Sequence, residues 1–198
     1  MIATPATDVR QHILDVARPL LLRKGFTAVG LTELLTEARV PKGSFYHYFA
    51  SKEAFGQAML EGYFADYFAH TDALLAQPGT AAQRLLAYFQ DWLSSQTGDE
   101  AQRCLAVKLG AEVSDLSESM RGVLEQGIAG VIERLARCVE AGRRDGSLQP
   151  PPDGHAMAAW LYQSWFGASL LARITRSRKP LDTAMANTRR VLGLHQDV

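Results

Sequence analysis

Residues 31–53, LTELLTEARVPKGSFYHYFASKE, constrain the fold of this chain more than any other stretch. Leu31, Leu34, Leu35 and Ala38 recur at helical spacing and give a short helix one inward apolar stripe. Pro41 suits the first turn of a following helix, where its missing N–H would be unpaired anyway. In PKGSFYHYF, Phe45 and Phe49 are four apart and anchor a single face. That leaves Lys42, Gly43, Ser44, Tyr46 and His47 facing outward. Two short helices joined by a tight turn, the second with few packing residues, are the layout of a helix-turn-helix that reads a DNA groove. Gly43 and Ser44 allow close approach to a DNA backbone, and Tyr46 and His47 carry polar tips suited to phosphate or base edges. Lys52 opens the next helix, where a cation and free backbone N–H groups can meet a phosphate. Thr32, Lys42, Gly43, Ser44, Tyr46, His47 and Lys52 therefore form the candidate DNA face.

Composition is compatible with this reading without demanding it. The chain has 198 residues, 47% hydrophobic and 21% charged, with zero formal net charge, an ordinary globular balance that predicts a packed core. Residues 1–55 hold seven Lys/Arg and five Asp/Glu, against fourteen and sixteen in residues 56–198. The small basic excess leans toward a DNA-contacting N-terminus. Cys104 and Cys138 are too far apart in sequence to mark a disulfide framework or a metal site. The opening MIATPATDVR has no apolar core of signal-peptide length. The nearest approach to a membrane span, HAMAAWLYQSWFGASLLARI, carries His, Gln and Arg. A cytoplasmic protein with reduced thiols is expected, without metal or cofactor.

The pattern is helical nearly throughout. Apolar spacing predicts helices from about Asp8 to Lys24, from Leu31, after Ser51 to about Gln77, and at about 81–97, 101–113, 117–144, 154–176 and 181–193. Gly25 reads as a C-cap after the basic Arg23-Lys24 turn. Pro19 should kink the first helix or remove one of its hydrogen bonds. Breaks are expected at Thr97-Gly98-Asp99, at Asp115-Leu116-Ser117, along Asp145 to Asp153 with its Pro150-Pro151-Pro152 run, and at Lys179-Pro180. No window alternates with period two over strand length, so no sheet is predicted.

The stretch KGFTAVGLTELLTEARVPKGSFYHYFASKEAF resembles the N-terminal DNA-binding region of the TetR family of bacterial transcriptional regulators. The family core V-S-K-G-[ST]-[LIF]-Y-x-[HY]-F-x-[SN]-K-[ED] is matched by Val40 through Glu53. Three positions depart from it. Pro41 replaces a serine cap, Arg39 stands where the turn usually has glycine, and Gly30 stands where a threonine or serine cap is frequent. If Arg39 is left-handed it costs roughly 1 kcal/mol relative to Gly. The resemblance implies an all-α protein. Residues 1–53 would be the DNA-binding domain, and residues 54–198 a helical ligand-binding and dimerisation domain that controls it. The partners implied are double-stranded operator DNA, a second copy of the chain and a small-molecule or electrophile effector.

The second half supports such a division on its own terms. Segment 154–176 is apolar almost all round, as a helix buried on more than one side must be. Trp160, Leu161, Trp165, Ala168 and Leu171 are candidate dimer contacts, and two-fold symmetry suits a roughly palindromic site. Met59, Tyr63, Tyr67, Tyr88, Phe89 and Trp92 are candidate effector-pocket residues; aromatic residues at this spacing are also the ordinary material of a core. Cys104 is the candidate sensor thiol. On a helix Lys108 would share its face and favour the thiolate, with Arg103 nearby and the helix dipole adding to the effect. The segment C-L-x-V-K-L-x-A-E-V-[AS]-D-L-S-E-x-M-R is similar to the NemR-like branch of the family. These are repressors that sense electrophiles and reactive chlorine through a cysteine at this place, and the resemblance implies that modifying Cys104 releases DNA. A lysine partner is associated with that branch; SLLARITRSRKPL offers Arg173 and Lys179 without a match. Cys138 reads as packing.

The expected function is thus a homodimeric DNA-binding repressor, not an enzyme, released by an effector or by thiol modification. An activator of the same family, or a carrier or thiol enzyme on a similar scaffold, is the alternative. Against the thiol enzyme, no His–Cys–Asp constellation is visible, and His70, His155 and His195 lack a sequence-adjacent acidic partner.

Overall fold

The computed structural model describes residues 6–97, 104–149 and 153–194. The regular elements among the described residues are all α-helices: α1 (Ala6–Lys24), α2 (Leu31–Ala38), α3 (Lys42–Tyr48), α4 (Lys52–Leu75), α5 (Ala81–Thr97), α6 (Leu105–Leu116), α7 (Glu118–Asp145), α8 (Gly154–Thr175) and α9 (Lys179–Val191). Arg103, the Pro150-Pro151-Pro152 run and His195 lie outside the described residues. No helix among the described residues is long and apolar enough to cross a membrane.

Several boundaries differ from the sequence expectation, and α6 runs on to Leu116, so that Asp115 and Leu116, expected in a break, are helical. α6 starts at Leu105 rather than 101, with Cys104 as its N-cap in extended backbone, φ −62° and ψ 115°. Lys179-Pro180, expected to break the chain, lies instead in the first turn of α9. Proline fits there because the first helical N–H groups have no partner within the helix. Pro19 lies inside α1, which continues to Lys24.

The chain forms two compact units, Met1–Phe64 with Asp99–Glu125 and Ala65–Gly98 with Gln126–Val198. α6 therefore packs in the same unit as the three N-terminal helices, a grouping different from the expected functional division after residue 53.

In the first unit, α1 stops at Gly25, whose φ of 89° is a backbone that residues with a Cβ rarely adopt. Its N–H closes on Leu21 O at 2.8 Å. α2 stops at Arg39, whose φ of 54° and ψ of 39° place it in the left-handed region. The Arg39 and Val40 amides satisfy the carbonyls of Thr36 and Leu35, and Pro41 then turns the chain into α3. Phe45 and Phe49, four apart, meet Phe55 of α4, with ring centroids 5.2 to 5.6 Å apart. His12 of α1 bonds the last carbonyl of α2, Ala38 O, at 2.9 Å. Ser51 caps α4 by accepting from the Ala54 amide at 3.0 Å.

The second unit is built on aromatic rings. Phe89 stacks on Trp165 at 5.3 Å, and Trp92 meets Tyr162 edge-on at 5.3 Å. Each buried indole has a partner for its N–H: Trp92 donates to Ser169 Oγ at 3.0 Å and Trp165 to Thr188 Oγ1 at 2.8 Å. The start of α5 is capped from the end of α7, since Asp145 and Ser147 accept from the Ala81 and Ala82 amides.

Candidate functional site

The helix-turn-helix residues fall on one solvent-facing set. Thr32 is exposed in the first turn of α2, and Lys42, Gly43, Tyr46 and His47 are exposed on α3. Ser44 is half-buried. Tyr46 is 52% exposed although Phe45 beside it is fully buried, so α3 packs through one side and shows the other. A Cβ built on Gly43 would meet nothing within 4 Å. Its lack of a side chain is therefore not required by packing inside the protein.

Lys52 is placed differently from the rest. Its ammonium donates to Thr27 O at 3.4 Å and lies 5.0 Å from the centre of the Phe26 ring. Burial lowers its pKa from the usual lysine value, against the opposing pull of Glu112. An ammonium has three donors, so this contact leaves capacity for a phosphate.

The turn between α1 and α2 is held by a residue that sequence reasoning missed. Glu112, in α6, accepts from the Phe26 amide at 3.0 Å and from the Thr27 amide at 2.6 Å. Gly25 makes room for it: a Cβ at this position would lie 2.8 Å from Glu112 Oε2. Burial alone would raise the Glu112 pKa. The Thr27 hydroxyl, the two amides and the charge of Lys108 outweigh it and hold the carboxyl below its usual range. Just beyond α6, the Ser117 hydroxyl donates to Glu53 in the first turn of α4, and Ser119 donates to the same oxygen at 3.2 Å. α6 and the residues after it thus bond the reading head both before α2 and after α3.

Cys104 caps the other end of that helix. About eight residues, roughly 12 Å of helix, separate it from Glu112. It is 9% exposed. Two expectations about its surroundings are corrected. Its pKa is raised, because burial penalises the thiolate more than the surrounding groups favour it. The groups that lower it are the Tyr63 hydroxyl, the amides of Val107 and Ala106, and the charge of Arg18; Lys108 is not among them. The four-residue rule requires both residues to be helical, and Cys104 has extended backbone. Lys108 instead acts on Glu112, four residues further along α6. Tyr63 Oη donates to Cys104 Sγ at 3.4 Å. Cys138 is buried, with its thiol toward Ala81 O at 3.7 Å, as packing requires.

The candidate pocket residues do not form one set. Met59 and Tyr63 belong to the first unit, and Tyr67, Tyr88, Phe89 and Trp92 to the second. Tyr67 and Tyr88 share a 2.8 Å hydroxyl contact, while Phe89 and Trp92 lie in the stacked core.

The candidate dimer residues divide too. Leu161, Trp165 and Ala168 are buried within the second unit, whereas Trp160 and Leu171 are 46% and 51% exposed. A stripe of exposed Trp160 and Leu171 with half-buried Gly167 between them lines a groove of about 600 Å³ with Pro180, Thr183 and Asn187 of α9. His70 and His155 are at the surface, His70 with a partner distant in sequence, Asp91, at 2.9 Å.

The family model for bacterial regulatory proteins of the tetR family matches residues 13–59. The tetracyclin repressor-like C-terminal domain matches residues 81–188. The chain is 46% identical over 189 residues to the HTH-type transcriptional repressor NemR of Escherichia coli (strain K12), covering 94% of each protein. It is 32% identical over 177 residues to the HTH-type transcriptional repressor DhaR of Mycobacterium sp. (strain GP1), covering 89% of this chain and 88% of that protein. The crystal structure of the reduced form of E. coli NemR superposes with a TM-score of 0.89 over 93% of this chain and 96% of the other, at 46% identity.

Proposed function

The chain belongs to the TetR family and is a DNA-binding transcriptional repressor; from that premise we propose that it binds operator DNA as a homodimer and is released when Cys104 is modified. Residues 1–53 are the DNA-reading part and residues 54–198 the regulatory part, in the cytoplasm where the operator lies. Thr32, Lys42, Gly43, Ser44, Tyr46 and His47 meet the DNA, with Lys52 reaching a phosphate from the start of α4. The α8 stripe of Trp160, Gly167 and Leu171, with Pro180, Thr183 and Asn187 of α9 beside it, supplies the dimer face.

The observation that carries this reading is α6. It is capped by Cys104 and reaches the reading head through Glu112, within one compact unit. An adduct on a sulfur with so little exposure has no room in this packing. It therefore favours a conformation in which the start of α6 has moved, and Glu112 with it. An effector switches the protein only by preferring the DNA-incompetent state, and a thiol that fits only when unmodified meets that condition.

A gel shift on DNA flanking the native gene, with and without N-ethylmaleimide, tests the proposal. The wild type should bind and then release. Cys104→Ser should bind equally and stay bound after treatment; equal release would remove Cys104 from the mechanism. Tyr46→Ala should weaken binding about tenfold with the fold intact and leave its salt dependence unchanged, since a neutral hydroxyl releases no counterion. Unchanged affinity would exclude Tyr46 from the interface.

A further inference from the structure

Cys104 has two neighbours that a merely structural thiol does not need. Tyr63 is 5% exposed, and a buried tyrosine hydroxyl generally takes a good acceptor. Here it donates to the sulfur at 3.4 Å. A neutral thiol is a weak acceptor, whereas a thiolate is a strong one, so this hydrogen bond favours the charged form. Arg18 of α1 lies with its guanidinium carbon 5.3 Å from the centre of the Tyr63 ring, and its Nε is buried with no hydrogen-bond partner. An orphaned cationic donor beside a titratable sulfur asks for a reason. The groups acting on the sulfur come from three helices: Arg18 from α1, Tyr63 from α4, and the Ala106 and Val107 amides from α6. No carboxylate is among them.

We propose that Tyr63 and Arg18 are positioning residues for the reaction of Cys104, Tyr63 by hydrogen-bonding the thiolate and Arg18 by fixing the tyrosine ring and supplying positive potential. The inference rests on the reading of Cys104 as the sensor. With an activated alkene such as a maleimide, the thiol first gives its proton to solvent. The sulfur lone pair then forms a C–S bond to one alkene carbon, and the π pair moves onto the other as an enolate. Protonation of that carbon by water leaves a neutral thioether. Neither oxidant nor reductant is required. Tyr63 and Arg18 act on the first step, because they set how much of the buried sulfur is thiolate. The thioether formed cannot become an anion, so the stabilisation that Tyr63 and Arg18 offer a thiolate ends when Cys104 is modified.

The test is the pH dependence of N-ethylmaleimide addition to Cys104 in the full-length protein, read by peptide mass spectrometry, which separates Cys104 from Cys138. Tyr63→Phe removes only the hydroxyl. It should move the midpoint of the rate profile up by about one pH unit, slowing reaction about tenfold below the midpoint and leaving the alkaline plateau unchanged. Arg18→Met should move the midpoint in the same direction by less, and Arg18→Lys should restore part of it. An unmoved midpoint in Tyr63→Phe overturns the proposal. So does a uniform rate change at all pH values, which would mean altered access alone. If the wild type releases DNA on alkylation of Cys104 while the variants keep its midpoint, the sensor reading stands and this inference fails. If wild-type Cys104 does not react, both fail.

Discussion

Both units have buried apolar cores, but the first ties α6 to the reading head through polar side chains, whereas the centre of the second is a set of stacked aromatic rings. Glu112 accepts from Phe26 and Thr27, the Ser117 hydroxyl donates to Glu53, and Tyr63 donates to Cys104. In the second unit, Phe89 lies on Trp165 and Trp92 against Tyr162, with each indole N–H satisfied by a hydroxyl. The two kinds of contact respond differently to perturbation. A close-packed aromatic core resists deformation and loses much stability when one ring is removed. A net hydrogen bond contributes only about 1 kcal/mol, and water can replace either partner near the surface. Contacts of the polar kind can rearrange at modest free-energy cost, as a switch must. The aromatic unit suits a rigid platform for a subunit interface.

Two substitutions test that contrast. Trp165→Ala should be the larger, lowering stability by about 3–5 kcal/mol in urea unfolding. It empties a fully buried site and leaves the Thr188 hydroxyl without its donor. Glu112→Gln keeps the shape and loses the charge, and should lower stability by only about 1 kcal/mol while changing operator affinity. A loss as large as that of Trp165→Ala would break the comparison. Acid supplies a second reading of the same contact. Folding holds the Glu112 carboxyl below its ordinary 4.5. Its contribution is therefore fully present above about pH 4.5 and is lost as pH falls through the folded-state value. The difference in melting temperature between wild type and Glu112→Gln should shrink over that acid range. A constant difference down to pH 3 would mean that the carboxylate charge contributes nothing.

What the sequence disclosed follows the same division between local and long-range physics. The helix-turn-helix was legible because its requirements lie within some twenty consecutive residues: the apolar stripe of Leu34, Leu35 and Ala38, the turn, and Phe45 four before Phe49. Glu112 was not, since its partners lie 85 and 86 positions away and a lone glutamate on a helix is ordinarily solvated. Lys108 was assigned to Cys104 by a spacing rule that fails when one residue is the cap rather than part of the helix. In α8, apolar residues all round the helix left its phase open. Trp165 therefore looked as fit for a partner subunit as Trp160, although the structure buries the first and exposes the second. The glycine usual at the Arg39 position left a left-handed turn there as a conditional, and the structure meets the condition with φ 54°.

That turn carries the smallest prediction. In Arg39→Gly the left-handed backbone no longer brings a Cβ close to the carbonyl that follows it, which favours the fold by about 1–2 kcal/mol. Glycine also has more freedom to lose on folding, which removes roughly 0.5–1 kcal/mol of that gain. The net expected stabilisation is about 0–1.5 kcal/mol, seen as a small rise in the melting temperature of the first unit. The sign separates two ways this unit could be held. If the turn is strained and relieved by glycine, stability rises and the α2–α3 geometry is set by its amide bonds to Leu35 and Thr36. If stability falls, the exposed Arg39 side chain contributes more than its backbone strain removes, and the polar contacts attributed to the first unit would have to include it.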